Sequence, residues 1–144
     1  MLTAASTLSD DDYARLLQFR TGLRRFFRWS EEQAVAVGVT PAQHQLMLAI
    51  RGHHDRRGPT IGDLAEALLL RHHSRVELVD RAVAAGLIER RGDRDDQRVV
   101  RLALTPRGAR RLRRLSARHL EELRRFAPTL RRVWEGLGPP TAPD

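Results

Sequence analysis

The stretch TIGDLAEALLLRHHSRVELVDRAVAAGLIERRGDRDDQRVVRLALT, residues 60–105 of the 144-residue chain, decides the fold. Behind Thr60, a good N-cap, Ile61, Leu64, Ala65 and Leu68 recur at helical spacing, and Asp63 can complete a capping box. Leu68-Leu69-Leu70 ends this helix and leads into a turn. A second helix starts at His72 or His73, with Ser74 in its first turn. Leu78, Val79, Ala82 and Val83 form its buried stripe, and Gly86 is placed to stop it in the left-handed conformation that glycine adopts without cost. Two helices of this length joined by a tight turn fit a helix-turn-helix that lays its second helix in the major groove of duplex DNA.

The rest of the stretch reads as a hairpin. Leu87-Ile88-Glu89-Arg90-Arg91 has the apolar-to-charged character of a first strand, and residues 92–97 form a turn cluster. Val99 to Leu104 returns as a strand rich in β-branched and aliphatic residues. Thr105-Pro106 then opens another helix, with threonine as N-cap and proline at the first helical position. The expected class is mostly α with a small β-hairpin wing (α+β): a winged helix-turn-helix flanked by terminal helices.

Charge follows this motif. The chain carries 26 basic residues, every one of them arginine, and a net charge of +8. Thirteen arginines against six acids lie between Arg71 and Arg114, so the excess is regional, as for an electrostatic footprint on phosphate. The plainer reading is a solvated arginine-rich surface. With no cysteine, disulfides and thiol redox sensing are excluded. No signal-peptide core and no membrane-length apolar run occurs, which predicts a soluble cytoplasmic protein. There is no phosphate-cradling glycine loop, no Gly-x-Ser-x-Gly elbow and no convincing carboxylate pair, so no enzyme and no cofactor are expected.

On the N-terminal side, Ser9 with Asp12 forms a further capping box. A long helix follows, carrying Tyr13, Leu16, Leu17, Phe19, Leu23, Phe26 and Phe27 and ending by Gly38. Its apolar face is wider than one small domain needs. Thr40-Pro41-Ala42-Gln43 starts a second helix with Leu46, Met47 and Ile50 inward, and a polar loop covers 52–59. On the C-terminal side, Leu112, Leu115, His119, Leu123, Phe126, Leu130, Val133 and Leu137 make a near-heptad stripe. The stripe is expected to be a dimer seam; packing on the first helix is the alternative. Pro128 should divide this helix into two segments, and Gly138-Pro139-Pro140 should end order. The expected parts are therefore an N-terminal dimerisation helix at 8–37, a DNA-binding winged helix-turn-helix at 40–105 and C-terminal dimerisation helices at 106–138.

Several residues can carry recognition. On the second helix of the motif these are His72, His73, Ser74, Arg75, Glu77 and Arg81. Arg75 sits close to the inward stripe and could instead lie across the surface. Arg81 could equally pair with Asp80 or Glu77. Adjacent histidines at 53–54 and 72–73 lack the i, i+4 spacing of a helical metal site, so no metal is expected; a histidine-based metal-responsive regulator stays as an alternative. A winged helix that docks proteins is the other alternative.

Taken in order, Leu64-Ala65, Leu78-Val79-Asp80-Arg81, Ala85-Gly86-Leu87-Ile88, Asp96-Gln97-Arg98, Leu104-Thr105 and Pro106-Arg107-Gly108 resemble the multiple-antibiotic-resistance regulator (MarR) family of bacterial transcription factors. The resemblance spans roughly Leu8 to Leu137, and its Asp-x-Arg-x5-Leu-Thr spacing is among its more specific parts. It implies a homodimeric repressor on an inverted repeat of double-stranded DNA. It also implies wing arginines, Arg94 and Arg98, at the minor groove, with Asp96 holding Arg98. A small aromatic or anionic effector would bind between the dimerising helices and the DNA-binding lobe, with Arg24, Phe27, Arg28 and His44 as candidates. Arg75 and Ala82 stand where family members often have an apolar residue and a leucine, so base-reading rules do not transfer.

Overall fold

The computed structural model describes residues 8–137, and the expected end of order at Gly138 lies outside them. Helices α1 (Asp10–Ala36), α2 (Pro41–Arg51), α3 (Ala65–Leu68), α4 (His72–Ala84) and α5 (Pro106–Trp134) accompany strands β1 (Ile88–Gly92) and β2 (Val100–Leu104). They form two compact units. One contains residues 31–118; the other contains residues from both ends of the described chain, 8–30 and 119–137.

In the unit of residues 31–118 the expected signals become structure one by one. Gly38, at φ +73°, closes α1: its N–H bonds Val35 and that of Val39 bonds Ala34. Thr40 and Gln43 cap α2 reciprocally, each side chain meeting the other's backbone N–H at 3.1 Å. Gly86 (φ +71°) ends α4 the same way, with Gly86 bonded to Val83 and Leu87 to Ala82. The strands pair antiparallel from Ile88 opposite Leu104 to Gly92 opposite Val100. Leu46, Met47, Leu64, Val79, Ala82, Leu87, Ile88, Leu102 and Leu112 close one apolar core among helices and hairpin. Each large side chain fully buried there stabilises the unit by about 1.5–3 kcal/mol. Gly108 lets α5 start against this core, since a Cβ there would lie 1.9 Å from the Leu87 carbonyl oxygen.

Two local expectations need correction. The first helix of the motif is a 3-10 turn (Gly62–Leu64) followed by a single α turn, although the Thr60–Asp63 capping box is present. Three leucines in a row offer no stop residue, and Leu69 itself takes the left-handed conformation, at φ +53°. Pro128 does not divide α5. It removes one N–H bond, but both Pro128 and Arg124, whose carbonyl would have accepted it, are exposed, so water can take that carbonyl.

In the other unit, residues from the two long helices pack through aromatic rings. Phe26 stacks on Phe126 at 6.1 Å, Trp29 meets His119 at 4.9 Å and Phe19 meets Trp134 at 5.9 Å. The Ser30 hydroxyl and the His119 ring nitrogen Nε2 are 2.6 Å apart. Part of the near-heptad stripe, at His119, Phe126 and Val133, is thus covered within the chain. Leu8, Tyr13, Leu16, Leu17, Phe27, Leu120, Leu123, Trp134 and Leu137 remain exposed.

Candidate nucleic-acid interface

Helix α4 turns Val79 and Ala82 into the core, which leaves His72, His73, Glu77 and Arg81 on its exposed side. Arg71 occupies the N-cap position without a side-chain cap bond, so no side chain closes the first turn of α4 there. Ser74 is half-buried. Arg75 does not extend outward: its Nη1 donates to the Leu70 carbonyl, and its Nε is buried with no partner. It braces the turn in which Leu69 is left-handed. Arg81 makes no ion pair among the described residues; Asp80 instead pairs with Arg90 of β1, joining recognition helix to wing.

The wing tip is organised by three aspartates. Asp96 accepts from Arg98 Nε at 3.1 Å, from Nη2 at 3.2 Å and from the Arg98 backbone N–H at 3.0 Å. Arg98 nonetheless remains 91% exposed, so its guanidinium faces solvent while paired with Asp96. Arg94 is exposed at the tip. Asp93, only 5% exposed, takes Arg101 Nε at 2.6 Å. Asp55, in the loop before the motif, takes Arg57 Nη2 at 2.8 Å. The Arg101, Arg57 and Arg98 guanidiniums hold the carboxyls of Asp93, Asp55 and Asp96 respectively below the ordinary carboxylate range.

The expected wing residues and the exposed α4 residues thus belong to one unit. Sequence reasoning missed Arg90, Asp93, Arg101, Asp55 and Arg57, which form ion pairs about the wing; of these, Asp93 and Arg101 are turned in, while Arg57 and Arg90 remain exposed. No local signal marked Arg101, which the sequence shows only as one residue of the returning strand. Leu102 donates to the Pro59 carbonyl at 2.8 Å, so the end of the loop at 52–59 lies along β2.

The residues proposed for an effector fare differently. Arg24, Phe27 and Arg28 are exposed on the unit built from the chain ends, whereas His44 is buried in the winged-helix unit. A cavity of about 560 Å³ in the winged-helix unit is lined instead by Leu48, Arg51, Leu104, Leu112, Arg113 and Ser116, among others. The rings of His53 and His54 touch at 4.4 Å, and no group of three metal-ligating side chains occurs among the described residues. No described helix is long and apolar enough to cross a membrane.

Residues 37–99 match the sequence model of the MarR family. No curated protein matches the chain. A MarR family transcription regulator of known structure is 26% identical, with 90% of this chain and 79% of that chain covered and a TM-score of 0.70. AbsC, a MarR family transcriptional regulator from Streptomyces coelicolor, is 20% identical over 85% of this chain and 82% of its own, with a TM-score of 0.70. A mutant MarR from E. coli, solved in complex with operator DNA, is 22% identical over 84% of this chain and 91% of its own, with a TM-score of 0.62. The last two likenesses bear on the fold.

Proposed function

We propose that the chain, whose residues 37–99 match the MarR family model and which resembles a MarR family transcription regulator of known structure along 90% of its length, binds a specific double-stranded DNA operator as a homodimer and represses transcription there. The observation that carries this reading is Arg98, paired with Asp96 yet 91% exposed at the tip of the wing. A guanidinium so posed suits the negative potential of a narrow minor groove. The α4 residues His72, His73, Ser74, Glu77 and Arg81 would face base edges and phosphates of the adjoining major groove. Exposed apolar residues on α1 and α5 supply the surface for a second copy, and two-fold symmetry makes the operator an inverted repeat. The test is fluorescence anisotropy with a duplex selected by the protein. Arg94→Ala combined with Arg98→Ala should weaken binding while the thermal melt stays in place, and unchanged affinity would refute the reading.

Release by a small anionic effector belongs to the same proposal. The support is the cavity of about 560 Å³, within the range that holds drug-sized ligands, with Leu48, Leu104 and Leu112 beside Arg51 and Arg113. Apolar walls with guanidiniums at hand suit an aromatic carboxylate. Arg113→Ala should abolish the DNA release that such compounds cause; release at wild-type concentrations would place the effector elsewhere.

A further inference from the structure

We propose that Asp93 and Arg101 form a strut that sets the pose of the wing tip, making them positioning residues for the DNA contacts of Arg94 and Arg98. The inference rests on the DNA-binding reading above. Arg101 is on β2 opposite Arg91, where a two-stranded ribbon would let it point to water. It is only 14% exposed instead. Its Nε donates to Asp93 Oδ1 at 2.6 Å and its Nη1 donates to the Gly58 carbonyl at 2.9 Å.

The second oxygen of Asp93 works on the tip. Oδ2 accepts the backbone N–H groups of Asp95 at 3.2 Å and Asp96 at 3.1 Å. One carboxylate is therefore gripped from two sides, by a guanidinium anchored outside the wing and by two amides inside it. Asp55, 3.7 Å from Arg101, and Arg57, 3.8 Å from Asp93, close the charge network. Its anchor point is fixed. Gly58 has φ +90°, and a Cβ there would sit 2.3 Å from the Leu102 carbonyl oxygen, so the loop lies directly on β2.

This arrangement has a physical purpose in the proposed function. A lone two-stranded hairpin is marginal in water. A tip that had to be ordered on contact would spend binding free energy on its own conformational entropy. The strut orders the segment 94–98 beforehand, and Asp96 then orders Arg98. Arginine suits this position because two different nitrogens of its planar fork bond Asp93 and Gly58 at once, a geometry that the single nitrogen of a lysine does not reproduce.

The test uses the full chain with Arg101→Lys, which keeps the charge beside Asp93 but not both bonds. Binding to a duplex recovered by selection is measured against salt concentration, in the wild-type and in the Arg94→Ala/Arg98→Ala backgrounds. Arg101→Lys should weaken the wild type about tenfold and flatten its salt dependence toward that of the double variant, because phosphate-region contacts are lost. In the double-variant background it should cost nothing further, since its effect passes through those two arginines. An equal loss in both backgrounds, or no loss in either, overturns the strut. If Arg101→Lys lowers the melting temperature enough to unfold the protein, Asp93→Asn is put through the same comparison and judged by the same outcomes. The two failures separate cleanly. Unchanged affinity in the Arg94→Ala/Arg98→Ala variant overturns the DNA reading on which the strut depends, whereas a loss there with none from Arg101→Lys overturns the strut alone.

Discussion

The two units of this chain treat their large apolar side chains in opposite ways. Around Leu46, Met47, Val79 and Leu102, the winged-helix unit closes a core to within a few per cent exposure. The unit built from the chain ends buries Phe26, Trp29 and Phe126 only in part and leaves Leu16, Leu17, Leu120, Leu123 and Trp134 in water. The first closes this core within one chain, although Leu48, Leu69 and Val100 stay exposed at its surface. The second leaves several large apolar side chains on α1 and α5 exposed, the surface that the proposed homodimer would cover. The contrast teaches that one sequence feature, an apolar helical stripe, has two physical destinations.

Substitutions can break that comparison, starting with the largest effect. Leu46→Ala should cost about 2–5 kcal/mol in chemical denaturation, the range for a large side chain deleted from a closed core. Gly58→Ala should cost about 2 kcal/mol or more, since it combines a positive φ with a backbone clash, while Gly92→Ala, with open space around it, should stay within about 0.5 kcal/mol. Comparable melts for the two glycine variants would show that the loop does not rest on β2. Leu17→Glu should weaken self-association about tenfold or more in sedimentation, because a charge would be carried into an apolar interface. An unchanged association constant would mean that the exposed face of α1 is not the seam.

The smallest effect is acid sensitivity, and it sharpens the contrast within the winged-helix unit. Asp93, Asp55 and Asp96 are held below their ordinary carboxylate range by Arg101, Arg57 and Arg98. A depressed folded-state value stabilises above the unfolded value, about 4, and that contribution is lost as pH falls through the folded value. Protection of the tip amides of Asp95 and Asp96, measured against their intrinsic exchange rates, should therefore fall in acid below about pH 4 before protection in α2 does. Simultaneous loss would show that the wing has no separate charge-based hold.

Much of this was legible in the sequence, where the chemistry is local. Capping pairs at Ser9–Asp12 and Thr40–Gln43, and glycine stops at Gly38 and Gly86, act over three or four residues and placed the element boundaries, whereas the Thr60–Asp63 pair forms without starting the helix expected there. The hairpin differed from expectation by a residue: Leu87 finishes the helix stop rather than starting the strand. What could not be read was long-range. Asp55 and Arg101 stand far apart in the chain, and period-two alternation points Arg101 at solvent. Only the loop seated along β2 makes that position an inside one. Arg75 turned inward for a similar reason, since the left-handed turn at Leu69 presents a carbonyl for it to cap.

The central claim is tested most directly by letting the purified protein select from a pool of random duplexes and then titrating the selected duplex with salt. The account predicts enrichment of an inverted repeat with half-sites about one helical turn apart. It also predicts an affinity that falls about a thousandfold or more between low and moderate salt as phosphate counterions are displaced. No enriched sequence, together with a binding signal indifferent to salt, would contradict it.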